Sequence, residues 1–131
     1  MDEKVLTKGD IVNVKDIQVK KVNVPEWGGS IFIKVMSGTE KDAFELAAYD
    51  KKSPVFGKIR AGLCARCICD ADGNRMFSDD PAEIESLGNR SGVALERIFD
   101  AARKLNKMSE KEIEELEKNF VSDPGAGSLI V

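Results

Sequence analysis

Histidine is absent from the 131-residue chain. Its absence removes the commonest general base, the commonest metal ligand and the usual partner of a Ser or Cys nucleophile, and so lowers the standing of any catalytic reading. No apolar run reaches the ~20 residues that a membrane-crossing helix needs. The opening Met1-Asp2-Glu3-Lys4 has none of the apolar core of a secretory signal, so the expected location is the cytoplasm. A basic excess is missing too. The formal net charge is -3 and the Lys and Arg residues are spread along the chain, which leaves no electrostatic footprint for nucleic acid and none for an anionic membrane. Three cysteines, all between Cys64 and Cys69, cannot pair off completely and lie too close together to clip a loop of useful length. Reduced thiols are expected.

What is present describes a folded domain. Apolar residues make up 42% and charged residues 33% of the chain, neither the apolar poverty nor the charge excess of a disordered protein. A chain of this length is one domain and buries roughly two thirds of the surface its unfolded form exposes. It can build a core without staples.

The organisation follows from periodicity and punctuation. Thr7 and Asp10 form a weak capping-box pair that fits one short helical turn in a loosely ordered arm over residues 1–15. Period-two alternation then puts Val22 and Val24 on one face of a strand, and Ile31, Ile33 and Val35 on one face of the next. Pro25-Glu26-Trp27-Gly28-Gly29 between them predicts a five-residue hairpin loop. Ser37 and Glu40 are spaced as a capping box for a helix over residues 39–50, with Phe44, Ala47 and Ala48 at helical spacing. Pro54 suits a first helical turn, after which Phe56, Ile59 and Leu63 form one stripe. From Cys64 to Cys69 helix and strand are both open, followed by a polar turn at Asp70-Ala71-Asp72-Gly73-Asn74. Three better-punctuated helices follow. Asp80-Pro81 opens one that ends at Gly88; Ser91 caps one with the stripe Ala94, Ile98, Ala101 and Leu105; Ser109 and Glu112 open the last, which faces Ile113, Leu116 and Phe120 inward. A single α+β domain is expected over residues 16–121, an N-terminal β-hairpin packed on a bundle of four or five short helices, with a flexible tail over residues 122–131.

Candidate chemistry is sparse. Cys64 and Cys67 have the C-x-x-C spacing of a zinc or redox pair, and Cys69 adds a third thiol. A structural zinc site wants four ligands, and the sequence offers no second pair; buried packing explains thiols of this kind equally well. Asp70, Asp72 and Asn74 alternate like the start of a calcium loop, but the glycine falls fourth instead of sixth and Pro81 takes the twelfth position, where Glu is required. The glycines at 28 and 29 lack the strand-to-helix setting and the Lys of a phosphate loop. Trp27, between Pro and Gly at the hairpin tip, is either a lid on the domain's own core or an exposed anchor for a partner.

The order of several blocks goes further. Val22-Asn23-Val24-Pro25-Glu26-Trp27-Gly28-Gly29, then Ser37-Gly38-Thr39-Glu40-Lys41-Asp42-Ala43-Phe44-Glu45, resembles the amino-terminal half of the tail assembly chaperones of long-tailed, non-contractile bacteriophages and prophages. Cys69-Asp70-Ala71-Asp72-Gly73-Asn74-Arg75-Met76-Phe77, Ile84-Glu85-Ser86-Leu87-Gly88 and Ala94-Leu95-Glu96-Arg97-Ile98-Phe99-Asp100-Ala101-Ala102 are similar to its later blocks in the same order, so the likeness spans residues 7–119. The resemblance implies a non-enzymatic, cofactor-free protein that binds the long, apolar tape measure protein, keeps it soluble, and helps tail tube protein polymerise around it before leaving the particle. Members of that family are also often made in two lengths by ribosomal frameshifting. Self-association into a ring or spiral fits this role, through an unsealed hairpin edge on residues 30–35. Trp27, Ile31, Ile33 and Phe44 are the expected partner-binding residues. The competing readings are a structural tail subunit retained in the virion, and a thiol or metal protein built on Cys64, Cys67 and Cys69.

Overall fold

The hairpin forms where the alternation predicts it and gains a third strand. In the computed structural model, which describes residues 3–122 with side chains as far as Lys118, β1 (Val19–Val24) pairs antiparallel with β2 (Gly29–Lys34), Val22 opposite Ile31. The connection is a 3-10 turn, Pro25–Trp27. Proline suits its first position because that N–H would have no helical partner. Gly28, at φ 73°, turns the chain into β2 and donates to the Pro25 carbonyl at 3.0 Å; a side chain is strained in that left-handed conformation.

β3 (Ile68–Cys69) joins the far side of β2 at Phe32 and Ile33, giving the order β1-β2-β3. This corrects the expected unsealed edge on residues 30–35. β2 is the central strand, and the free edge belongs to β1, whose Lys20 and Lys21 are charges of the kind that discourage indiscriminate strand pairing.

Helix α1 (Lys8–Val12) lies in the N-terminal arm, and α2 (Gly38–Tyr49), α3 (Ile59–Cys67), α4 (Pro81–Gly88), α5 (Gly92–Leu105) and α6 (Glu110–Ser122) accompany the sheet. The fold is α+β. The side chains that the sequence marks as caps do the capping. Ser37 Oγ accepts from Glu40 N at 3.1 Å while Glu40 Oε1 accepts from Ser37 N at 2.8 Å. Asp80, Ser91 and Ser109 accept from Ala82, Ala94 and Glu112 N–H groups. Each cap satisfies an N–H that the first helical turn leaves without a partner, worth ~1 kcal/mol.

Pro54 opens turns instead of a helix, because Gly57 takes φ 79° and the helix starts only at Ile59. The region left open at residues 64–69 is both things in succession, helix through Cys67 and then strand. α3 is the central helix, in contact with α2, α4 and α5, and its residues from Ala61 to Cys67 are all buried. Gly88 makes one of these contacts close: a Cβ there would sit 3.3 Å from Ala61 Cβ. Ala94, Leu95, Ile98, Phe99 and Ala102 of α5, and Ile113 and Leu116 of α6, complete the core with Val24 and Ile33 of the sheet. Of the tail assigned to residues 122–131, Ser122 is the last residue of α6; the rest of it, and the inward face assigned to Phe120, lie outside the described residues.

Candidate functional site

The four expected partner-binding residues do not share one surface. Trp27 is 38% exposed at the end of the 3-10 turn and Ile31 is half-buried, but Ile33 and Phe44 are 0% and 1% exposed. Ile33 and Phe44 are therefore core residues, unable to meet a partner in this fold. Period-two alternation groups Ile31 with Ile33 on one face without saying how deep along the strand the core begins. Trp27 is held between lid and anchor. Beside it, Glu26 accepts a forked pair of bonds from Arg97, Nη2 at 2.8 Å and Nε at 3.1 Å, which ties the hairpin tip to α5.

The thiols lie in the buried interior. Cys64, Cys67 and Cys69 are all free and fully buried. Burial pushes the Cys67 thiol up to about 12, against a lowering hydrogen bond from Asn106; burial, then the neighbouring Cys67, raises Cys64 too. Neither is a thiolate near neutral pH, the form that attacks disulfides or binds metal. Among the described residues no group of three or more Cys, Asp or Glu is placed to hold a metal ion. The native chain at pH 8 should therefore react with a thiol reagent only as fast as it opens, and the Cys64, Cys67 and Cys69 triple Ala variant should keep partner binding while losing about 1–3 kcal/mol of stability. Rapid labelling of Cys64 in native buffer would contradict this.

Asp70 uses its carboxylate on its own turn. Oδ1 accepts from the Asp72 and Asn74 N–H groups at 2.9 Å each, and Gly73 takes φ 85°. The Asn74 backbone bond, the largest cause, holds its carboxyl below the ordinary range. This is an Asx turn closing the return from β3 to an isolated bridge between Cys69 and Arg75.

Sequence reasoning missed a partly buried ionic network. Lys34 on β2 is only 6% exposed and pairs with Glu40 of α2; Arg75 reaches Glu40 at 3.9 Å and Asp79 at 2.7 Å. Arg66, 3% exposed, lies over the Phe44 ring at 5.8 Å and approaches Asp79 at 3.6 Å. Asn106, next after α5, was missed as well. Its Oδ1 accepts from Met36 N at 2.7 Å while Nδ2 donates to the Ala102 carbonyl at 2.9 Å, linking the end of β2 to the end of α5. The only sequence signal for it was a polar residue closing a helical stripe.

The exposed apolar surface is unevenly distributed. Among the described residues it comprises Trp27, Leu46, Tyr49, Met76 and Val93 on the body, with Val19 at the margin, and Val5, Leu6, Ile11, Val12, Val14 and Ile17 on the arm. An open groove of about 920 Å³ runs between β1 and α5, lined by the apolar Val22, Val93 and Ala101 and by charges of both signs, among them Lys20, Lys104, Glu96 and Asp100. Its openness to solvent fits a segment of another chain better than an enclosed small molecule. The arrangement suits protein binding.

The chain is similar to a tail assembly chaperone. That protein is the bacteriophage HK97 tail assembly chaperone, whose solved structure shares 22% sequence identity, covers 68% of this chain and 85% of its own, and superposes with a TM-score of 0.48. No family model and no curated protein sequence matches the chain.

Proposed function

We propose that this protein is a phage tail assembly chaperone that acts in the host cytoplasm, binds the tape measure protein, keeps it soluble and assists tail tube polymerisation. The observation that carries the reading is the ordered set of residue blocks resembling that family. Each block coincides with one piece of a single domain: the hairpin with its 3-10 turn, the capped α2, the Asx turn after β3, then α4 and α5. The physical logic is that of a binder. A tape measure protein presents long helices whose apolar stripes have no partner until the tube surrounds them, so alone it aggregates. Covering those stripes calls for exposed apolar side chains on a stable body, and many copies along one client add avidity without tight individual sites.

A tagged chain recovered from cells expressing the tail genes is expected to bring the tape measure protein with it at about 0.5 M salt, where exposed charge pairs are screened. Trp27→Ala should weaken this recovery several-fold and lower the melting temperature by only a few degrees, because more than a third of the indole is open to solvent. Mass spectrometry of purified particles separates a departing chaperone from a retained tail subunit, which would be present at stoichiometric level.

A further inference from the structure

A small cleft between α2 and α6 carries charge of one sign. It holds about 200 Å³ and is lined by Glu45 and Tyr49 of α2, Met108 of the turn before α6, and Glu112, Glu115 and Leu116 of α6. Glu45 and Tyr49 are four positions apart, as are Glu112 and Leu116, so each pair shares a helix face and the two faces meet here. Met108 and Leu116 are buried and supply an apolar floor, while Tyr49 is 41% exposed. No lysine or arginine lines the cleft. Lys41 approaches Glu112 at 3.9 Å, a loose contact between half-exposed side chains. Glu45, itself half-buried, and Glu115 take part in no ion pair among the described residues. Beside the cleft, Leu46 is 68% exposed one turn before Tyr49, which gives α2 a short apolar strip along this rim.

We infer that this cleft receives an arginine side chain from an amphipathic helix of a protein partner, whose apolar stripe rests on Leu46 and Tyr49. The inference rests on the protein-binding reading above and adds the chemistry that this surface selects. A helix lying against α2 offers its apolar anchors three and four positions apart, and an arginine at the edge of that stripe drops its head into the cleft.

Space and charge both select one long cationic side chain. The cleft is too small for a helix, but it takes the methylene stem of an arginine against Met108 and Leu116 while the charged head stays near solvent. A guanidinium at the Tyr49 ring gains a cation–π contact, and its five donors engage more than one carboxylate, which a compact ammonium does less well. Charge complementarity is one-sided and therefore selective. A cation relieves the mutual repulsion of Glu45, Glu112 and Glu115 and gives half-buried Glu45 a counter-ion. A neutral side chain of similar length covers the same carboxylates without pairing them, and an acidic one adds repulsion, so the cleft rejects as well as attracts.

The test uses purified full-length protein and a synthetic probe with no tape measure protein present, so that it and the chaperone reading fail separately. The probe is a fluorescein-labelled helix of about 18 residues, or five turns, with a leucine stripe on an alanine and glutamine background and one arginine beside the stripe. Two companion probes carry Gln or Glu at that single position. Anisotropy titrations at low salt should show the arginine probe binding about fivefold more tightly than the Gln companion, the gain of one exposed cation–π and ion-pair contact, with the Glu companion weakest. Glu112→Gln/Glu115→Gln, at exposed positions, should erase the difference between the Arg and Gln probes. Glu112→Lys/Glu115→Lys should invert the order, so that the Glu companion binds best. Asp72→Lys/Glu85→Lys makes the same change in net charge at exposed residues outside the cleft and should leave the arginine preference in place. Circular dichroism confirms that each variant is folded. Three probes that bind alike, or none that binds at millimolar concentration, overturn the inference. So does a preference that survives reversal of the cleft charges, or one that the outside variant removes equally well.

Discussion

Replacing Glu40 with Ala is expected to cost about 3–5 kcal/mol of folding stability, the loss seen when one member of a buried ion pair is removed. Two structures lose their support at once. Lys34, with 8% of its side chain exposed, is left as a buried charge whose ion-pair partner has gone, and the Ser37 N–H at the start of α2 loses its acceptor. Arg75 keeps Asp79. Glu40→Gln retains an acceptor for Ser37 and should lose less, which separates the charge from the cap. Urea melts at pH 7 read the difference as a shift in midpoint at unchanged slope.

The same residue sets an acid limb. Burial raises the Glu40 pKa, but the hydrogen bond from Lys34 and that from the Ser37 backbone together outweigh it, so the folded value lies below the ordinary 4.5. A depressed folded pKa means stability that is complete above pH 4.5 and is lost as pH falls through the lower folded value. The Glu40→Gln variant should therefore lose stability relative to the parent at pH 7 and converge on it in strong acid. Parallel acid profiles for the two proteins would contradict the pairing.

Phe44→Ala is expected to be as damaging, about 3–5 kcal/mol and a fall in Tm on the order of 10–20 °C. The ring is fully buried, with Cδ1 and Cε1 each 3.7 Å from the position a Cβ on Gly62 would occupy, so α2 and α3 meet across it. It also lies under the Arg66 guanidinium, which would face a cavity once the ring is gone. Phe44→Leu should recover part of the loss by refilling volume without restoring the cation–π contact. A Phe44→Ala protein with unchanged Tm that failed to bind a partner would instead return this residue to the surface role the sequence suggested.

These two residues mark where the sequence was legible and where it was not. Local rules placed the elements well: Pro25 and the glycines fixed the hairpin turn, and Ser37, Asp80, Ser91 and Ser109 fixed helix starts within a residue or two, because capping depends on neighbours three positions away. β3 was invisible to periodicity, being only two residues long, and its pairing moved the free edge from β2 to β1. Phe44 was legible as an apolar helix position, but how the helix is oriented against α3 is a tertiary fact. Lys34 was harder still. A lysine on a strand ordinarily faces water, and the Glu40 carboxylate that the fold brings beside it pairs with this one inside. Of the expected partner-binding residues, alternation and aromatic setting found Trp27 and Ile31 near the surface, while the apolar arm escaped notice because exposure cannot be read from residue type.

The central claim is that exposed apolar surface on this small domain holds a tape measure protein in solution, and co-expression tests it most directly. Co-expressed with a tape measure protein, this chain should move the client from the pellet to the supernatant, in a complex containing several copies of the chain per client. Polar substitutions at Leu46, 68% exposed, and at Trp27, 38% exposed, which should leave the domain folded at a cost of a few degrees in melting temperature, should abolish that rescue. A client equally insoluble with and without the chain would contradict the account.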